Sequence, residues 1–147
     1  VGFRYFNIYS ERQGLGAFYT QVFQKWIHAI HAGEEIIMYG DGEQTLDLVH
    51  SSDAARANIL ALFNDDVKNE HFNVGTGIET SLKEVLAVIE KYLGKKAAVK
   101  HVASDPHLVR RRCASIEKIR NMLGFEPEVS VEEGTRMYVE HLIKGKI

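Results

Sequence analysis

The sequence predicts an α/β fold in which short strands alternate with about five helices. Three observations carry that prediction. An apolar run of strand type opens the chain, from Val1 to Tyr9, and delivers a lone asparagine, Asn7, next to a polar, glycine-containing loop. Several later stretches carry apolar residues at helical spacing, and three of them close on a glycine. Short apolar runs ending at turn residues lie between those stretches.

The elements follow in order. Residues 1–9 read as a strand and 10–18 as a loop containing Gly14 and Gly16. From Tyr19 to Ala32, the residues Val22, Phe23, Trp26, Ile27 and Ile30 share one helical face, with Gly33 as the stop. Ile36 to Tyr39 is a short strand that ends at the turn Gly40-Asp41-Gly42, and Leu46 to His50 is a second extended piece. Ser51, Ser52 or Asp53 can cap the next helix, whose apolar residues are Ala54, Ala57, Leu60, Ala61 and Phe63. His71 to Val74 is a strand closed by Gly75-Thr76-Gly77. Ser81 and Glu84 have capping-box spacing, and their helix ends at Gly94. Ala97 to Val102 is a strand, Ser115 to Leu123 a helix ended by Gly124, and Ser130 with Glu133 a second capping box that opens the last helix.

Bulk properties narrow the function. A chain of 147 residues is expected to form one domain, and 45% hydrophobic residues suffice for a real core. A net charge of −2 argues against broad nucleic-acid binding, which needs a basic face, but permits an anionic small ligand held by a few arginines. The single cysteine, Cys113, precludes an internal disulfide and fits a reducing compartment. No apolar run approaches the length of a membrane span and no signal-peptide pattern is present, so the expected location is cytoplasmic, with no membrane partner.

Some chemistry is excluded by spacing. A dinucleotide loop needs three glycines at a tight turn, so that the backbone can approach a pyrophosphate. The pairs Gly14/Gly16, Gly40/Gly42 and Gly75/Gly77 all lack the third. Tyr92 and Lys96 have the spacing of a Tyr-Lys pair on one helical face, but Gly94 lies between them, where the helix should end. His28 and His31 share a helical face without a third ligand nearby in sequence, and His101 and His107 are separated by a loop, so no metal site is expected.

Four ordered motifs remain. They are Arg4-Tyr5-Phe6-Asn7 with Tyr9; Gly40-Asp41-Gly42 with Gln44, Asp47 and Asp53; Phe72-Asn73-Val74-Gly75 with Ser81; and Leu123-Gly124-Phe125 with Pro127 and Glu132-Glu133-Gly134. Together they run over nearly the whole chain and resemble the C-terminal, substrate-binding part of the extended short-chain dehydrogenase/reductases, the NAD-dependent epimerase/dehydratase family. The resemblance implies a Rossmann-type protein acting on a nucleoside-diphosphate sugar. In that family hydride passes from a sugar carbon to NAD with the help of a Tyr base, and returns after rotation or elimination. The expectation is therefore the substrate-binding half of such an epimerase or dehydratase, inactive by itself. NAD would belong to the full-length enzyme, on an N-terminal NAD-binding domain, with none expected on this chain alone. The alternative is a stand-alone, non-catalytic module that binds a nucleotide or a protein. The opening strand, as the edge of a larger parallel sheet, also leads to the expectation of a homo-oligomer.

The resemblance assigns roles residue by residue. Tyr5 and Phe6 match residues beside the nicotinamide ring; their other reading is sheet core. Asn7 matches a contact to the sugar and diphosphate, or else satisfies loop backbone. Arg12 and Gln13 agree with the family's Gly-Pro-Arg-Gln, whereas Ser10 and Glu11 depart from it; Arg12 would face a phosphate or pair with a carboxylate. Val22 and Phe23 fall in the nucleobase-wall region, with helix core as the other reading. Gln44 and Leu46 lie in the substrate-facing block, and Leu46 stands where the family usually has a diphosphate-binding Arg. The second such Arg is replaced by Asp105 in Asp105-Pro106-His107. Arg110, Arg111 and Arg112 could replace both lost cations, with one or two of them turned inward because side chains alternate on a strand. A solvated strand edge is their other reading. Cys113 beside that run invites a lowered pKa, but without a base in view it reads as structural.

Overall fold

A computed structural model describes residues 1–13, 22–103 and 109–145. Its elements are β1 (Gly2–Tyr5), β2 (Ile8–Tyr9), α1 (Val22–Ala32), β3 (Ile36–Tyr39), β4 (Thr45–Leu46), β5 (Val49–His50), α2 (Ser51–Leu62), β6 (His71–Val74), β7 (Thr80–Ser81), α3 (Leu82–Leu93), β8 (Val99–Val102), α4 (Glu117–Leu123) and α5 (Val131–Ile143). Short strands alternating with helices are the α/β pattern expected. The loop expected over 10–18, the first turn of the helix expected from Tyr19, and Asp105-Pro106-His107 fall wholly or largely outside the described residues.

The strands pair two by two: β1 with β6, β2 with β5 and β3 with β8 in parallel, and β4 with β7 antiparallel. The opening run is therefore two strands rather than one. Phe6 still donates to Val74 O at 2.9 Å, next to β6, while Ile8 is already opposite Val49 of β5. The chain changes partner at Asn7, where the polar side chain interrupts the apolar run.

Local chemistry explains the helix ends. Ser81 and Glu84 form both halves of a capping box on α3, and Gly94 ends it in the left-handed conformation at φ 64°. On α2 the cap is His50, not Ser51, Ser52 or Asp53: its imidazole accepts from the Ser52 N–H at 3.3 Å. The second expected box is half formed. The Ser130 hydroxyl accepts from the Glu133 N–H at 3.1 Å, but the Glu133 carboxylate turns to Arg136, so the reciprocal bond is absent. Phe63, expected on the apolar face of α2, is its C-cap and is 81% exposed.

Among the described residues the buried apolar side chains form two clusters. The first joins β2, α1, β3, α3 and α5 through Tyr9, Phe23, Trp26, Ile27, Met38, Val85 and Tyr138. The second joins α2, β6 and α4 through Ala57, Phe72, Val74, Ile119 and Phe125. Asn7 lies on the segment that runs between them, from Phe6 on the second to Tyr9 in the first, and Asp47 lies between Leu46 and Leu48 of the first.

Candidate functional site

Parallel strands β1 and β6 end side by side, at Tyr5 and Val74. The segments leaving them, Phe6-Asn7 and Gly75-Thr76-Gly77, emerge at the carboxyl edge, where open α/β sheets bind ligands. A third segment runs beside them. Thr45 donates to Arg110 O at 2.9 Å and accepts from the Arg112 N–H at 3.2 Å, so the arginine run bridges in parallel to β4. Together they border an open cavity of about 390 Å³ lined by Tyr5, Phe6, Asn7, Arg111, Arg112 and Cys113. Five of the twelve residues singled out from sequence meet there.

The arginines divide the work. Arg110 turns away to Asp41, 3.6 Å off. Arg111 holds Glu79 through Nε at 3.0 Å and through its terminal nitrogen, and Thr45 Oγ1 donates to the same carboxylate at 2.8 Å. The Arg111 hydrogen bond, helped by Thr45, keeps the Glu79 carboxyl below the usual carboxylate range. The Arg112 guanidinium is exposed and makes no hydrogen bond or ion pair among the described residues.

Asn7 donates its carboxamide N–H to Asp47 O at 2.8 Å, which fixes the side chain and leaves its Oδ1 as the acceptor without a partner among the described residues. Tyr5 is 41% exposed, with its hydroxyl on Asn58 Oδ1 at 2.9 Å, so it forms an aromatic wall rather than sheet core. Phe6 is half-buried against the second cluster. The Cys113 thiol is pushed up, not down: burial raises its pKa, as do the charges of Asp47 and Glu79.

The other expected residues lie elsewhere. Phe23 is fully buried beside Tyr9 and Tyr138, and Val22 packs at the edge of that cluster, so both are helix core. Gln44 donates to Tyr39 O at 2.6 Å and braces the turn between β3 and β4. Leu46 is half-buried against the first cluster, an apolar seat that suits leucine and not a cation. Gln13 accepts from the Gln24 carboxamide, and Arg12 is exposed on the loop after β2. Tyr92 donates to Glu132 and Lys96 pairs with Glu90 beyond Gly94, so the two do not form a catalytic pair.

Sequence reasoning passed over Asp47. It is fully buried, and its carboxylate accepts from the Thr76 N–H and Oγ1, both at 2.7 Å, and from the Gly77 and Ala114 N–H groups, both at 2.9 Å. A signal was present: an acid set between Leu46, Leu48 and Val49 must be buried with partners. Gly75 answers to it, since a Cβ there would stand 2.7 Å from Asp47 Oδ2 and 2.6 Å from the Ala114 Cβ.

Comparison with known proteins identifies the family and the fold. The profile of the NAD dependent epimerase/dehydratase family matches residues 1–75, which hold β1, β2 and Asp47. A UDP-N-acetyl-alpha-D-glucosaminuronate decarboxylase of Bacillus cytotoxicus is 33% identical over 143 residues, covering 93% of this chain and 44% of the relative. The crystal structure of UDP-glucose 4-epimerase with UDP-glucose from Thermotoga maritima superposes with a TM-score of 0.89 at 32% identity, over 99% of this chain and 46% of the other. The Thermus thermophilus UDP-glucose 4-epimerase complex with NAD gives a TM-score of 0.84 at 29% identity, over 99% and 46%. The chain thus spans less than half the length of the relatives it matches. With the profile covering half of the sequence and an asparagine-and-arginine cleft at the carboxyl edge of its parallel strands, the chain belongs to the NAD dependent epimerase/dehydratase family.

Proposed function

We propose that residues 1–147 act as one substrate-binding domain of an NAD-dependent nucleoside-diphosphate-sugar epimerase, decarboxylase or dehydratase. The observation that carries this reading is the convergence on one cleft beyond β1 and β6 of the fixed Asn7 carboxamide and the exposed Arg112 guanidinium, which has no side-chain partner among the described residues. A diphosphate is a doubly charged ligand that loses its water on binding, and arginine offers it paired, charge-assisted hydrogen bonds. Arg112 grips it first, and Arg111 supplies a second cation if it exchanges Glu79 for phosphate. Asn7 Oδ1 accepts from a sugar hydroxyl, and Tyr5 and Phe6 wall the side that faces the reacting carbon.

The described residues do not fit the pyrophosphate of NAD. At the Gly75-Thr76-Gly77 turn the amides of Thr76 and Gly77 are taken by Asp47. At the Gly40-Asp41-Gly42 turn a Cβ on Gly42 would strike Met38, so that glycine serves packing. The dinucleotide belongs, in this reading, to another part of the protein, and this chain alone neither turns over substrate nor holds NAD tightly. Micromolar NAD binding by calorimetry on the 147-residue chain would refute it.

Titration of UDP-glucose, followed by NMR, tests the cleft. Arg112→Ala should weaken binding by about 2 kcal/mol, the scale of a charge-assisted contact, while Arg110→Ala leaves it nearly unchanged. Equal affinities for both variants and the parent would make the arginine run a surface feature.

A further inference from the structure

Beneath the cleft wall, a single residue, through its carboxylate and its backbone carbonyl, is hydrogen-bonded to each of the three segments that border the cleft. Asp47 Oδ1 accepts from the backbone and hydroxyl of Thr76, and Oδ2 from the Gly77 and Ala114 amides. The Asp47 carbonyl takes the Asn7 carboxamide. Ala114 directly follows the cleft-lining residues Arg111, Arg112 and Cys113. So the asparagine, the turn after β6 and the arginine strand, although distant in sequence, are hydrogen-bonded to one residue. Asp47 itself is fully buried and is not among the residues that line the cavity.

We propose that Asp47 is the positioning residue of the ligand cleft, setting the spacing between the Asn7 carboxamide and the Arg112 guanidinium. The inference rests on the reading that this cleft receives the nucleoside-diphosphate sugar. It assigns Asp47 no contact with the ligand. Its four accepted bonds are charge-assisted, and a buried carboxylate so satisfied fixes its donors in one arrangement. An asparagine in its place keeps the size but turns one oxygen into an amino group. If that group replaced Oδ2, it would face two N–H donors and expel the Ala114 strand.

A natural control exists in the same molecule. Asp53 is equally buried and also accepts two backbone amides, those of Glu128 and Val129, both at 3.0 Å, together with Arg56. It ties α2 to the segment before α5 and does not line the cavity. Loss of either carboxylate should lower the thermal midpoint. Only loss of Asp47 should disturb the cleft.

The test uses Asp47→Asn and Asp53→Asn in the 147-residue chain, with two readouts. The first is alkylation of Cys113 by iodoacetamide, recorded against pH so that the plateau rate of the thiolate is compared and any change in its pKa drops out. The second is the dissociation constant for UDP-glucose. Asp47→Asn should raise the plateau rate and weaken binding, each by about tenfold, the equivalent of one lost charge-assisted bond. Asp53→Asn should leave both within about twofold. If the two variants move both readouts alike, or Asp47→Asn moves neither, Asp47 is a stability residue only and the proposal fails. Should Asp47→Asn not fold, Thr76→Val removes one of the four bonds and keeps the charge. A plateau rate unchanged from the parent in that variant likewise overturns the proposal. If the parent chain binds no UDP-glucose, the assigned ligand is wrong, and the alkylation rates still decide the role of Asp47.

Discussion

Tyr9 and Asp47 are both fully buried polar residues, and the sequence around each explains its burial to a different extent. Tyr9 ends an apolar run that reads as a strand, and its ring lies in the core 4.7 Å from that of Phe23. Asp47 was seen as part of a motif and not as a group with a job, because its donors come from residues 76, 77 and 114, which no local pattern links to it. Burial also gives Tyr9 a titration signature. Burial first, and then the charge of Asp53, push its pKa up. A phenol whose folded pKa is raised contributes stability that is complete below the unfolded value, about 10, and is lost as pH rises above it. Unfolding midpoints in urea should therefore fall between pH 10 and 11, with Tyr9 contributing a slope of about 1.4 kcal/mol per pH unit. Tyr9→Phe should remove that share of the slope. An unchanged slope would mean that Tyr9 ionises in the folded state.

At the scale of elements, legibility followed the range of the interaction. α3 was readable at both ends, since Ser81, Glu84 and Gly94 act within one turn of their own helix. α2 was misread at its start because histidine is not a usual cap, and the His50 ring is held there by Glu11 at 3.2 Å from across the fold. The break between β1 and β2 is marked in sequence only by Asn7; both flanks are apolar and extended, so they read as one strand, and tertiary pairing separates them. The Leu46 and Arg112 pair shows the same limit: the sequence raised the lost cation, but which arginine is without an ion pair among the described residues depends on Asp41 and Glu79. Helix α5 offers a test of close approach. A Cβ on Gly134 would come within 2.0 Å of the Tyr9 hydroxyl, so α5 can lie on the first cluster only with glycine there. Gly134→Ala should destabilise the protein by about 2 kcal/mol in denaturant melts, although alanine is the better helix former, because overpacking outweighs propensity. A stabilised variant would show that α5 can shift without cost.

For the whole molecule, the two clusters and the strand pairs set what is shielded and what is not. Gly2 and Phe6 turn their N–H groups to the β6 side, on Glu70 O and Val74 O, so by alternation Phe3 and Tyr5 turn theirs to the opposite edge. No strand lies on that edge among the described residues, and an open edge invites pairing with another chain. Hydrogen exchange on dilute protein should find the Phe3 and Tyr5 amides fast and that of Phe6 slow, and higher concentration should slow the first two as the chain associates. A monomer at all concentrations with protected amides at Phe3 and Tyr5 would count against this. The parallel pairing has a further consequence, in time rather than in space. β1 and β6 are separated by roughly seventy residues, and β3 and β8 by roughly sixty, so neither pair can form until a long loop has closed. During synthesis the first strand leaves the ribosome long before its partner. The fold should then be slow for its size, with helices α1 and α3 packing early and β1 docking among the last events, and the cleft that begins at Asn7 is completed only when that docking is done.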